Sequence, residues 1–147
     1  MTTSANVITR PNNLLGSVFL LSGGSVMVAG ALLPWLTMFA GLQAYRGVIG
    51  LNGRLILGVG IVLSISGVIG LARGLNTRTL RVAGAVAAAT ALFGGVLLYR
   101  MIEMWRNLSA NDAMMIARPG IGLPCVLVGG LLSALALRQP QTRRLRL

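Results

Sequence analysis

The chain has 147 residues, 55% of them hydrophobic, and its thirteen arginines give a formal net charge of +11 against only two acidic residues. It contains one cysteine and no histidine, so it lacks the convergent side chains that metal binding and acid/base catalysis require. We therefore expect no enzyme, no cofactor and no metal site. Such a charge suggests nucleic-acid binding in a soluble protein, but the arginines lie mostly between long apolar runs, and we expect no nucleic-acid partner.

Four long apolar runs dominate the sequence, and their central parts contain no ionisable side chain. A helix rises about 1.5 Å per residue, so roughly 20 residues cross the hydrocarbon core of a bilayer. The predicted fold class is an all-α integral membrane protein, a four-transmembrane-helix bundle that forms one membrane domain over residues 1–147. Its predicted parts are an N-terminal tail at 1–13, spans at about 14–40, 55–72, 82–101 and 120–137, and a basic C-terminal tail at 138–147.

The first run is longer than the apolar segment of a typical cleaved leader, which favours a retained span. Near its end come Pro34 and Trp35. Proline is tolerated near the end of a span, and tryptophan prefers the level of the lipid headgroups. We therefore expect the helix to kink or unwind around Pro34, and Trp35 to contact headgroups or a partner. An exterior loop over 41–53 follows, with a turn at its Asn-Gly pair.

The link at 73–81 is short and carries three arginines, whereas the connection at 100–119 is the longest and holds both acids. Glu103 follows Arg100 by three residues, a spacing that favours a local ion pair on a helix. The connection also contains a stripe at helical spacing, and two interpretations stay open: the third helix continues out of the bilayer, or a separate interfacial helix follows it. In either case Trp105 would be the anchor. The stripe comprises Met101, Met104, Trp105 and Leu108.

The distribution of arginine predicts an orientation. The two tails and the 73–81 link share one side of the membrane and hold eight arginines, while the other two loops hold five arginines and both acids. The positive-inside rule then places both termini in the cytoplasm of a bacterial cell, with the chain as a multi-pass protein of the cytoplasmic membrane.

Small residues at helical spacing predict close contact between helices, because lipid tails are as apolar as leucine and helices associate through packing. The same stripes could alternatively form a face between copies of the chain. The residues expected at such contacts are Gly60, Ser64, Gly67 and Gly70 in the second span, and Gly84 and Ala88 in the third.

Three further arginines, Arg54, Arg100 and Arg118, would ring the outer ends of spans two, three and four in this topology. One interpretation is that each extends separately to the lipid headgroups. The other is that they cluster and bind an anionic lipid headgroup or an acidic loop of a partner. Together with Trp35 and Trp105, they are the candidate headgroup or partner contacts.

Several segments carry a family resemblance: GALLPW at 30–35, GIGL at 120–123 and GGLLSAL at 129–135, with a glycine-punctuated exterior loop and a basic link after span two. This pattern resembles small four-span actinobacterial membrane proteins, some of which are called tryptophan-associated transmembrane proteins. The likeness covers about 14–137. It implies a four-span architecture and a bacterial source, and it transfers no site residues.

Two functions of different classes are compatible with these features. The first is a non-enzymatic accessory or scaffolding subunit of a larger bacterial membrane assembly, whose partners would be the lipid bilayer, anionic headgroups, and a membrane protein or a second copy. The second is a small oligomeric channel, transporter or phage holin-like protein. No carboxylate lies within a predicted span, which disfavours proton-coupled transport.

Overall fold

The computed structural model describes residues 12–38, 43–111 and 118–138, and over these ranges the chain is mainly helical. Four α-helices are accompanied by three short strands and by two 3₁₀ turns, at Gly47–Ile49 and Leu135–Arg138. The helices and strands are α1 (Asn12–Leu32), β1 (Pro34–Met38), β2 (Gln43–Arg46), α2 (Leu51–Arg73), α3 (Thr77–Asn111), β3 (Arg118–Pro119) and α4 (Gly122–Ala134).

Three helices in the described ranges are long and apolar enough to cross a membrane: Leu14–Leu32 within α1, the whole of α2, and Thr77–Asn107 within α3. The fourth helix forms, with the 3₁₀ turn that follows it, a shorter apolar segment at Gly122–Arg138. The predicted membrane protein built from apolar helices is confirmed at this level.

The prediction of one helical span over 14–40 is wrong beyond Leu32, where α1 ends and a strand begins. Pro34 explains the change, because proline lacks the N–H that would continue a helix and disfavours helical geometry in the residue before it. The next residues are Trp35, Leu36 and Thr37. Aromatic residues such as Trp35 and β-branched residues such as Thr37 are common in strands. The all-α prediction therefore missed a small sheet between the helices.

The sheet joins the two loops at one end of the molecule, which we call the sheet end. Its strand order is β2-β1-β3, and both pairings are antiparallel. Thr37 of β1 lies opposite Ala44 of β2 and also opposite Arg118 of β3. Since β1 follows α1 and β3 precedes α4, the sheet ties the α1–α2 hairpin to the fourth helix.

Helix α1 is the most enclosed element of the bundle. It packs against α2 on one side and α4 on the other, and α3 packs against α4, while α2 and α3 contact each other only slightly. The spatial order is therefore α2–α1–α4–α3. Ser17, Leu20, Met27 and Ala31 of α1 are completely buried.

The α1–α2 interface depends on small residues of α2. A methyl group at Gly67 would lie 2.6 Å from the backbone nitrogen of Leu21, which no real contact allows. Gly60 and Ser64 similarly face Gly24, and Gly70 faces Ser17. The predicted packing stripe of the second span thus lies against α1 within the same chain, and its glycines are buried.

Helix α4 makes equally close contacts with its two neighbours. A methyl group at Gly129 would lie 2.7 Å from the backbone nitrogen of Met27, and one at Gly130 would lie 2.8 Å from Cβ of Ala91. Gly84 of α3 faces Leu137 in the 3₁₀ turn after α4. The remaining residue of the predicted α3 stripe, Ala88, is half-buried and lies at the edge of this interface.

We predict that replacing Gly67 with alanine lowers the free energy of unfolding by about 1–3 kcal/mol, because the added methyl group overfills the α1–α2 contact. SDS titration of the detergent-solubilised protein, followed by circular dichroism, measures the change. Gly58→Ala is the matched control on the same helix, since nothing lies within 4 Å of a methyl group there. The control should be neutral or stabilising by up to about 1 kcal/mol; equal losses in both variants would contradict the packing model.

Candidate functional site

The side chain of Trp35 connects the sheet to the helices. Its indole is 7% exposed, and its Nε1–H donates a hydrogen bond to the carbonyl oxygen of Gly30 at 3.1 Å. The ring lies between Gly47 and Gly122: a Cβ at Gly122 would be 2.5 Å from Cδ1 of the indole, and one at Gly47 would overlap its Cε2 and Nε1 atoms. The structure therefore places Trp35 inside the fold, because two glycines leave room for it.

The backbone of Trp35 makes a second connection, to the other loop at the sheet end. The amide of Gly120 donates to the carbonyl oxygen of Trp35 at 2.8 Å. A methyl group at Gly120 would overlap the carbonyl of Pro34, so only glycine permits this approach. One residue thus links the end of α1, the turn before α2 and the start of α4.

The three arginines predicted to ring the outer ends lie at the sheet end, but on three different elements. Arg54 is in the first turn of α2, where its Nε–H donates to the carbonyl oxygen of Val48 at 3.1 Å. Arg118 is in β3, and its carbonyl accepts a bond from Thr37 Oγ1 at 3.3 Å. Arg100 is on α3, and all three residues are exposed. Arg118 thus lies in an edge strand of the sheet, whereas Arg54 and Arg100 lie on helices.

The third helix continues far past the predicted span, which decides between the two interpretations of the 100–119 connection. At 35 residues, α3 is about 52 Å long, roughly 20 Å more than the hydrocarbon core. Trp105 lies on this extension and is half-buried. Glu103 and Arg100 are exposed, and the expected ion pair between these two described residues is not formed. The other acid, Asp112, lies outside the described residues.

An apolar groove runs between α2 and α3, where these helices hardly touch; we call it the α2–α3 groove. Its volume is about 500 Å³, and it opens toward the surroundings of the bundle. Sequence analysis missed it, although Gly58 was a signal, because this glycine lies off the stripe that faces α1. The lining residues are Arg54, Leu55, Gly58, Val59, Val62, Leu63 and Ser66 of α2, and Thr79, Val82, Ala83 and Val86 of α3.

A second groove, of about 600 Å³, lies on the outer side of α3 and α4; we call it the α3–α4 groove. It exists because α3 has small residues where α4 has larger ones. Leu92 and Tyr99 beside it are 74% and 69% exposed, so its rim is apolar and uncovered. The lining residues are Ala88, Ala91, Leu92, Gly95, Val96, Tyr99, Leu127, Leu131 and Ala134.

The residues that line the two grooves are almost all apolar. Within the described ranges, no group of three or more His, Cys, Asp or Glu side chains could hold a metal ion. Cys125 is a half-buried free thiol on α4. The described surfaces thus offer two apolar grooves, one of which has a guanidinium group at its end, and such surfaces suit lipids and apolar helices.

Comparison with known proteins finds no matching family model, no similar curated protein and no similar solved structure. The resemblance to tryptophan-associated transmembrane proteins therefore stays a prediction. What the chain does has to be inferred from its own residues.

We predict that Gly47→Ala displaces the indole of Trp35 from its pocket. In a Trp105→Phe background, where Trp35 is the remaining tryptophan, the variant should shift the emission to longer wavelength and raise acrylamide quenching severalfold, because the ring becomes accessible. Gly50→Ala is the control in the same turn, since a methyl group there meets nothing closer than the Tyr45 hydroxyl at 3.3 Å. Ready quenching of Trp35 before Gly47 is changed would show that the pocket is not closed.

Proposed function

We propose that this chain is a four-span protein of the bacterial cytoplasmic membrane that acts as a non-enzymatic accessory or scaffolding subunit of a larger membrane assembly. The observation that carries the proposal is the length of α3, which at 35 residues exceeds the thickness of the hydrocarbon core by roughly 20 Å. A bundle that only needed to reside in the bilayer would have no use for a rigid helix of this length, whereas a subunit that contacts a partner would.

The fourth apolar segment is shorter than the three candidate spans, but its length is near that of the hydrocarbon core. Its 13 α-helical residues and four 3₁₀ residues rise about 27 Å together, close to the roughly 30 Å of the hydrocarbon core. Helix α4 also runs antiparallel to α1, since Gly30 faces Gly122 near the sheet end and Gly23 faces Ser133 toward the other end. These features support a membrane topology in which α1 and α4 begin and end at similar depths.

Charge supports an orientation with both termini in the cytoplasm. The end opposite the sheet carries four exposed arginines in the described ranges, and the sequence has four more outside those ranges, one before α1 and three after the 3₁₀ turn that follows α4. The described part of the sheet end has five arginines together with the acid Glu103. The positive-inside rule then assigns the sheet to the outer face. The four described arginines opposite the sheet are Arg73, Arg78, Arg81 and Arg138.

This orientation predicts the accessibility of two engineered cysteines in a Cys125→Ala background. Gln43→Cys on β2 and Asn76→Cys in the link between α2 and α3 are both at exposed positions. A membrane-impermeant maleimide applied to intact spheroplasts should label the first, and the second only after permeabilisation. The reverse pattern would invert the topology, and labelling of neither after permeabilisation would show that the two sites are covered.

Contact with a partner is favoured by the side chains on the α3 extension. Met104 is 55% exposed and Ile102 is 40% exposed, and they alternate with the charged residues Arg100, Glu103 and Arg106. Apolar side chains held outside the hydrocarbon core gain free energy when headgroups or a protein cover them. Within the membrane, the α3–α4 groove offers small residues against which a further helix could pack.

The alternative, an oligomeric pore, needs polar groups on the outer faces of the bundle that could line a lumen between copies. Four exposed or half-buried hydroxyls described in the middle parts of the helices are already bonded to their own helix. Ser22, Ser25, Ser66 and Thr90 each donate to the carbonyl four residues earlier, at 2.8–2.9 Å. Hydroxyls satisfied in this way do not form a hydrophilic path, so the accessory role is the better supported function.

We predict that the tagged full-length chain, purified in mild detergent, retains a membrane-protein partner in fixed ratio, measured by native mass spectrometry. Met104→Gln should lower the recovered partner about tenfold or more, since residues at the centre of an interface contribute 1–2 kcal/mol or more. The control is Leu51→Gln, an equally polar change at a 73% exposed position of α2 at the same end.

Three results would contradict the accessory role. One is recovery of the chain alone in several detergents. Another is equal loss of the partner in Met104→Gln and Leu51→Gln. The third is leakage of ions or dye from vesicles that contain only the purified chain, which would favour the oligomeric pore instead.

A further inference from the structure

The two walls of the α2–α3 groove differ in length. On α2 the lining residues run from Arg54 to Ser66, a stretch of thirteen residues that spans about 18 Å along the helix axis. On α3 they run only from Thr79 to Val86, about 10 Å. Helix α3 therefore forms a wall only with its first part, and toward the sheet end the groove continues along α2 alone.

The lining is apolar apart from its ends and one internally bonded hydroxyl. Ser66 Oγ donates to the carbonyl oxygen of Val62 at 2.8 Å, so the proton of this hydroxyl is already hydrogen-bonded within the helix. Val62 and Val82 are 61% and 65% exposed, which means that the groove is open to the surrounding lipid. An occupant of the middle of the groove has to be a hydrocarbon.

Arg54 gives the sheet end of the groove a positive charge. Its hydrogen bond to Val48 uses Nε–H, and the four N–H groups on the two terminal nitrogens are not part of that bond. No acidic residue lines the groove. Guanidinium N–H groups match the oxygens of a phosphate in geometry and charge, so this end is complementary to an anion.

We propose that the α2–α3 groove is a binding site for one anionic phospholipid, whose phosphate is held by Arg54 and one of whose acyl chains lies along α2. The dimensions agree with this occupant. The 18 Å wall from Arg54 to Ser66 is close to the half-thickness of the hydrocarbon core, about 15 Å, which is the depth that one leaflet's chains reach. The volume also falls within the roughly 300–1,000 Å³ of small-molecule sites.

A helix from a partner fits this groove less well. A helix with side chains is about 10–12 Å wide and packs along facing walls, but here the walls face each other over only the first part of α3. A flexible acyl chain can lie along a groove that has a second wall over only part of its length. The site requires no partner protein, so it goes beyond the accessory role and would exist in the isolated chain.

The test uses the delipidated full-length chain in detergent, offered equal amounts of phosphatidylglycerol and phosphatidylcholine, with bound lipid counted by native mass spectrometry. We expect one retained phosphatidylglycerol per chain in preference to phosphatidylcholine. Arg54→Gln should lower that preference about tenfold, the ratio that corresponds to one charge-assisted hydrogen bond. Arg46→Gln is the control, because Arg46 is an exposed arginine at the same end that does not line the groove.

A second pair of variants tests the hydrocarbon part of the site. Gly58→Leu fills the groove without meeting any atom of the fold within 4 Å of its Cβ, and it should reduce the binding of both lipids severalfold. Ala89→Leu adds the same side chain at an exposed position of α3 outside both grooves and should change neither. Equal retention of the two lipids, equal effects of Arg54→Gln and Arg46→Gln, or a lipid-free dimer that Gly58→Leu dissociates would overturn the proposal.

Discussion

Helices in a bilayer gain nothing from leaving lipid for each other, so their association depends on how closely their backbones can approach. In this chain that constraint is met along α1. Gly23 and Gly30 face α4, and Gly24 and Leu21 face α2 across glycines of that helix. Helices α2 and α4 thus both pack against α1, and both fit because small residues lie on the two sides of α1 that face them. The arrangement of every other element follows from this contact.

The open side of the bundle is one consequence. Since α1 binds both α2 and α4, and α3 is held by the small residues of α4, the second and third helices are left with little contact despite the short link between them. The α2–α3 groove is what remains at that side. Its apolar lining and its terminal arginine then give it the character of a lipid site, without any residue that has to be explained by catalysis.

The sheet end also depends on close packing against glycines. Trp35 is the largest side chain there, and it is enclosed because Gly47 and Gly122 have no side chains in its way. Its indole N–H is satisfied by Gly30, as a buried polar group requires. The sheet is thereby fixed to three helices, and α3 is the helix that continues beyond it. The sheet end and the long helix α3 are the two parts of the molecule that suit the proposed accessory role.

How much could be predicted from the sequence differs between the helices and the site. Apolar length determined the helices and their membrane character, and Pro34 marked where the first would change. The glycines of α2 could be predicted as packing residues because their spacing matches the helical period. Which helix they face could not, since four helices offer several pairings with the same spacing.

The sequence by itself determined the composition of the outer surfaces, the expected orientation through arginine placement, and the near absence of groups for catalysis. Only the tertiary structure decided that Trp35 lies inside, that Arg54, Arg100 and Arg118 occupy separate elements, and that α2 and α3 diverge. These outcomes depend on contacts between residues far apart in the chain, such as Trp35 with Gly122 and Thr37 with Arg118. Local pattern carries no information about such pairs, because it is the shape of the packed backbone that brings them together.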